Sequence, residues 1–317
     1  MTFSLNGLID TASFNDLAAN ASPGSSVNSL FNTGSGKFGY GQADPIANVA
    51  VGNSITSTLW SSLNNRIIAM GNHQSSALVA LPTTAVGDSI KYSANYLNDL
   101  ATLKTNSFNA AAQGTTTSTT TTATVPWSNT CTFTHTITFP SGDSARYFFN
   151  CGGQLKFSFT ATYGPSNTGD YVMHYLGQDV GTVVLSAPST GTCNIAVFAY
   201  NGITQTGTTI KAPTIDPNKG YYGLTTSYST VLKQFARFGL NTYLGSFLKV
   251  DMKTNGPVGS NQDNGTTITV QTVWDEVPNG LTVSPGTAVT CTVVPPSTTY
   301  LAKSWGTPTV VGTFVAV

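Results

Sequence analysis

The chain has 317 residues, with thirteen basic and thirteen acidic side chains that cancel, and only 8% of it is charged against 40% apolar; globular chains usually carry about 25% charge. That balance leaves no Lys/Arg patch for a nucleic-acid footprint, and no stretch approaches the roughly 18 consecutive apolar residues of a membrane span. A surface of short uncharged hydrogen-bonding side chains suits a rigid β protein that works by being assembled, not an enzyme that moves charge.

Residues 1–50 have no sustained periodicity, only scattered anchors at Phe3, Leu5, Leu8, Phe14, Leu30 and Phe31. Such a segment buries little by itself, so it reads as an extended N-terminal arm that is either disordered or docked on a neighbour. The opening lacks a basic region followed by a continuous apolar one, and is therefore not expected to act as a secretory signal. Residues 51–112 read as a helical hairpin. Asn53 or Ser54 would cap a first helix that carries Ile55, Leu59, Trp60, Leu63, Ile67 and Met70 at helical spacing and stops at Gly71-Asn72. A second helix from Asp88 would align Ile90, Ala94, Leu97, Ala101 and Phe108, with Leu100 and Leu103 beside them. Two amphipathic helices need each other, or a partner subunit, and Trp60, Leu63, Ile67 and Leu97 are the expected contact residues.

The run Thr115 to Thr124 reads TTTSTTTTAT. β-Branched Thr disfavours helix, so 113–125 reads as an extended connector and domain boundary, with a polar strand as the alternative. From 126 to 317 the period changes to two. Residues 130–139 alternate Thr with Cys131, Phe133, His135, Ile137 and Phe139, the pattern of a half-buried strand. Pro140-Ser141-Gly142-Asp143 is turn chemistry, and 146–149 with 155–159 read as a hairpin around Gly152-Gly153. Further strands are expected at 180–185, 195–200, 228–238, 245–252, 266–274 and 288–294. Many short strands between Gly, Pro and Asn turns argue for an antiparallel β-sandwich or jelly-roll-like domain. The fold class is thus mainly β, with an N-terminal arm and helical hairpin ahead of it.

Catalytic signals are thin. Cys131, Cys151, Cys193 and Cys291 lack the close spacing of a zinc site and read first as small buried hydrophobes, with a disulfide second. His73 would hydrogen-bond at the carbonyl end of the first helix, His135 would pack beside Phe133 and Ile137, and His174 reads as structural or surface. There is no nucleophile elbow, P-loop or HExxH motif. Nothing in spacing selects a glycosidase pair among Asp143, Asp170, Asp179, Asp251, Asp263, Asp275 and Glu276. Asp263-Asn264-Gly265 lacks the other ligands of a calcium loop. Tyr221, Tyr222, Tyr228, Tyr243, Trp274 and Trp305 read as core before they read as a sugar-stacking surface. No cofactor or metal is expected.

Several segments carry a family resemblance. Tyr40-Gly41-Gln42, then Val51-Gly52, Ile55-Thr56, Trp60, Leu63-Asn64, Ile67 and His73-Gln74 resemble virion structural proteins of tailed bacteriophages, particularly those of cyanophages and other marine phages. So do Phe133 to Phe139, Ala145 to Asn150 and Gly152-Gly153-Gln154-Leu155, where Cys151 stands in place of an expected small residue. Ser260-Asn261, Asp263-Asn264-Gly265, Pro295 to Leu301 and Ser304 to Pro308 belong to the same pattern, which spans roughly residues 40 to 310. The resemblance implies a tail, neck or fibre component of the virion, assembled in a host cytosol where disulfides are rare. It carries no catalytic motif. Its expected partners are other copies of the chain and other virion proteins, with host-surface glycan in a receptor-binding alternative and a capsid decoration role as another, and with neither nucleic acid nor membrane.

Overall fold

Thr alternating with Cys131, Phe133, His135 and Ile137 produces strand β2 (Thr130–Thr138), whose apolar row is buried and whose Thr row is half exposed. In the computed structural model, which describes residues 10–79, 95–164, 167–187, 198–200, 203–205, 214–215, 220–236, 241–277 and 280–317, this strand lies inside one of two antiparallel sheets. The first sheet contains β1 (Thr117–Thr122), β3 (Gln154–Thr160), β4 (Thr182–Leu185), β5 (Phe198–Tyr200), β6 (Ile203–Gln205) and β11 (Ala288–Val294), in the order β1-β11-β3-β4-β6-β5. The second adds β7 (Thr214–Ile215), β8 (Ser229–Phe235), β9 (Phe247–Thr254), β10 (Thr267–Asp275) and β12 (Thr309–Ala316), in the order β12-β2-β10-β9-β8-β7.

The two inner faces meet in one core. His135 on β2 lies edge-on to Phe157 on β3 at 6.3 Å, and Trp274 on β10 lies edge-on to Phe159 at 6.4 Å. Helix α6 (Thr168–Val180) packs against β3, β8 and β9. It fits because Gly177 has no side chain: a Cβ there would sit 3.1 Å from both the Phe159 carbonyl oxygen and the Trp274 ring.

One expectation from the sequence is overturned in this half. Residues 146–149 are not a strand but lie in helix α5 (Gly142–Asn150). The residues read as a turn are its cap: the Ser141 hydroxyl accepts from the Ser144 amide at 3.0 Å, and Asp143 sits in the first turn. Capping and burial of Phe148, Phe149 and Arg146 together override the strand preference of the aromatics. For the Thr run the structure takes the alternative reading, a polar strand, over the connector, since β1 pairs with β11 in continuous register from Thr117↔Val293 to Thr122↔Ala288. Ser118 and Thr120 hydroxyls each bond a Thr on β11 at 2.8 Å.

Residues 10–50 are packed rather than extended. Helix α1 (Thr11–Ala19), capped by Asp10, and helix α2 (Val27–Phe31), capped by Ser26, bury Phe14, Leu17, Val27 and Leu30. They lie with α3 (Ser57–Gln74) and α4 (Asn95–Thr105). Thr56 caps α3, and its end is Ser75 in the left-handed conformation, four residues beyond the expected Gly71. The expected start of the second helix, and its Ile90 and Ala94, fall outside the described residues; the buried side chains of α4 are Tyr96, Asp99, Leu100 and Leu103.

Candidate functional site

Three of the four expected contact residues are internal. Trp60, Leu63 and Ile67 are each 0% exposed, because α1 and α4 already cover that face of α3: Trp60 meets the Phe14 ring at 6.1 Å and the Tyr96 ring at 5.1 Å. The Tyr96 hydroxyl donates to Asn64 Oδ1 at 2.9 Å. Leu97 points the other way and is 37% exposed. Replacing it with Glu is expected to change stability by no more than about 0.5 kcal/mol, measured by urea unfolding. A larger loss would mean that Leu97 is held in a packed contact.

The ionisable side chains are committed to structure. His73 is buried in the last turn of α3 with Nε2 3.0 Å from the Cys151 carbonyl, so its bond goes to the end of α5 and not to the carbonyl end of its own helix as expected; burial lowers its pKa. Burial pushes the Cys131 and Cys291 thiols up to about 12 and raises Cys151 as well; all three are free, and Cys193 lies outside the described residues. Asp170 takes the Ser284 amide and hydroxyl at 2.6 and 2.8 Å, and Asp251 pairs with Lys249 at 2.8 Å. Asp263 accepts the amides of Val258, Gly259 and Gly265. Burial acts to raise its pKa, but these amide bonds outweigh it and hold the group below the usual carboxylate range. Among the described residues, no cluster of three His, Cys, Asp or Glu side chains is placed to hold a metal, and no helix is long and apolar enough to cross a membrane.

The surface feature that stands out is the corner where the two sheets end. Edge strand β12 runs antiparallel to β2 without a register shift, from Thr309↔Thr138 to Ala316↔Cys131. The Val317 amide donates to Thr130 at 2.9 Å. Alternation therefore turns the backbone groups of Thr309, Val311, Thr313 and Val315 towards β2, and those of Val310, Gly312, Phe314 and Ala316 to the open side. No described strand pairs with that side. Its outward side chains include Val311 at 61% and Val315 at 65% exposure, followed by Val317 at 62%. The stretch from Trp305 to Val317 contains no charged residue.

Edge strand β1 lies beside it in the other sheet. Gly312 permits the approach, since a Cβ at that position would collide with the Thr121 hydroxyl. Beneath the corner, His135 is fully buried, with Nε2 3.2 Å from Thr121 Oγ1 and no partner for Nδ1. Sequence reasoning missed β12 because its outward row mixes Thr309 and Thr313 with Val311 and Val315, so the period-two contrast that marked β2 is weak. The one available signal was the uncharged, β-branched composition after Pro308. Comparisons of the chain with protein-family models, with curated proteins and with solved structures find no match.

Proposed function

We propose that this chain is a non-enzymatic structural subunit of a tailed-phage particle, in its tail, neck or fibre apparatus, and that it works by joining to copies of itself and to other virion proteins in the host cytoplasm. The β12 edge is the observation that carries the assembly reading. Sheets guard their edges with charges, prolines, bulges or short strands; β12 has eight residues in regular register and none of these devices inside it. A second copy paired along it satisfies the open backbone groups and covers Val311 and Val315. The phage assignment rests on the sequence resemblance. A jelly-roll-like winding fits it in part: successive strands β1, β2 and β3 alternate between the sheets, as do β10, β11 and β12, whereas β4 to β6 stay in one sheet and β7 to β10 in the other.

The test is a double variant, Val311→Lys with Val315→Lys. Wild-type protein is expected to be oligomeric by light scattering, with little salt dependence because charge contributes little. The variant is expected to be monomeric, with an unchanged melting temperature and reduced incorporation into particles. A wild-type monomer whose lysine variant incorporates normally would sink the assembly reading. Receptor binding is a second reading, favoured by exposed Tyr163 and the half-buried Tyr171 and Tyr175 beside it on α6.

A further inference from the structure

The four tryptophans are kept inside: Trp60, Trp127, Trp274 and Trp305 are all between 0% and 2% exposed. Tyr228 and Tyr300 are exposed at 41% and 47%, and a further outward patch gathers several rings. Tyr163, just beyond β3, is 50% exposed and lies against the outer face of α6, where Tyr171, His174, Tyr175 and Gln178 recur at i, i+3, i+4 and i+7 and so share one side of the helix. Its ring centroid is 5.0 Å from His174, 6.4 Å from Tyr175 and 6.5 Å from Tyr171, and Tyr171 and Tyr175 are 4.8 Å apart. The opposite side of α6 already supplies the core through Val172, Met173, Leu176 and Val180. The outer rings are therefore not needed to fill it.

A polar chain runs through the patch. His174 Nδ1 lies 3.1 Å from the Ala161 carbonyl, which can only accept, so this nitrogen carries the proton. Nε2 is then an acceptor and takes an N–H from Gln178 at 3.0 Å. Gln178 is exposed, and its amide retains an acceptor oxygen and a second N–H. None of these five side chains is acidic or permanently basic. The two carboxylates of α6, Asp170 and Asp179, are buried at 3% and 1% exposure. A flat aromatic face beside a bifunctional amide, in uncharged surroundings, matches a ligand with a polarised C–H face and a rim of hydroxyls. A nucleotide would also stack, but its phosphates require the Lys and Arg that this patch lacks.

We propose that the Tyr163–α6 patch binds a neutral saccharide, with a sugar ring stacked on Tyr163 and hydroxyls engaged by Gln178. This deepens the receptor-binding reading and does not depend on the β12 edge. The experiment is calorimetric titration of the full chain with maltoheptaose, cellohexaose, laminarihexaose and mannohexaose, with polygalacturonate as the charged counterpart. At least one neutral oligosaccharide is expected to bind. Tyr163→Ala is expected to weaken it by about tenfold or more, with the melting temperature unchanged, while Tyr163→Trp preserves affinity. Gln178→Ala, at an exposed position, supplies a second variant whose affinity must also fall with the fold intact. Failure of all four neutral sugars, tighter binding of polygalacturonate, or full affinity in either alanine variant overturns the proposal. The Val311→Lys, Val315→Lys double variant is expected to keep wild-type affinity per site, so either reading can fail without the other.

Discussion

Replacing Arg146 with Met is expected to lower stability by about 3–5 kcal/mol, the scale of breaking a buried charged network by removing one partner. Arg146 is 0% exposed and sits on α5, where its guanidinium reaches residues more than a hundred positions earlier. Nη1 donates to the Phe38 carbonyl at 2.6 Å and to that of Gly36 at 3.3 Å, and Nη2 donates to Thr33 at 2.6 Å. Nε bonds Asp143 at 3.0 Å, and the group lies 4.7 Å from the Tyr147 ring centroid. Asn150 Nδ2 adds bonds to the Gly36 and Gly39 carbonyls at 3.1 Å each, and the Tyr222 hydroxyl lies 2.6 Å from the same Gly36 oxygen.

These contacts fasten the loop after α2 onto the sandwich. Methionine fills the volume but takes the guanidinium donor from the Thr33 and Phe38 carbonyls and from Asp143 Oδ1, while the Gly36 oxygen keeps Asn150 and Tyr222; a buried acceptor left unsatisfied costs about 1–3 kcal/mol. Arg146→Lys is expected to recover only part of the loss, because an ammonium cannot present a planar fork to three acceptors. Urea unfolding gives the magnitude, and limited proteolysis within residues 33–39 reports release of the loop. A loss below about 1 kcal/mol would show that the N-terminal segment is held by other contacts.

Acidification from pH 6.5 to pH 4 is expected to remove about 3 kcal/mol through His135 alone. Burial pushes its pKa down from 6.5 to about 4, and each unit is worth about 1.4 kcal/mol. The neutral ring is the form that fits, wedged between Thr121, Phe157 and Gly312. Because the folded pKa lies below the unfolded one, the unfolded chain takes up the proton first as pH falls. The contribution is complete above pH 6.5 and declines towards the folded pKa. His73, also lowered by burial, acts in the same direction. Asp263 is held low and acts only below the ordinary carboxylate range. Denaturant melts at pH 7.5 and 4.5 measure the difference, and His135→Gln is expected to flatten most of it. An unchanged slope in that variant would assign the acid sensitivity elsewhere.

Local chemistry was legible where one face of an element is wet and the other dry. Residues 130–138, 247–254, 267–275 and 288–294 form strands close to where alternation placed them, because period-two contrast and a two-sided environment are the same physical fact. The spacing of Trp60, Leu63, Ile67 and Met70 likewise marked α3. Composition alone announced a β-rich chain with an uncharged surface. Elements covered by distant parts of the chain were not legible. Ser141 reads equally well as a turn or as a helix cap, and burial of Phe148, Phe149 and Arg146 decided for the helix. The Thr run has no apolar face of its own, so its sequence left connector and strand both open, and the edge of β11 decided for the strand. Residues 10–50 have no period, yet they pack, since Phe14 finds Trp60 and the carbonyls of 33–39 find Arg146. The exposure of β12 and the gathering of Tyr163 over α6 belong to the same class. Hydrophobic period acts between neighbours in sequence, whereas edges, buried polar locks and surface clusters are set by which distant segments the sheets bring together.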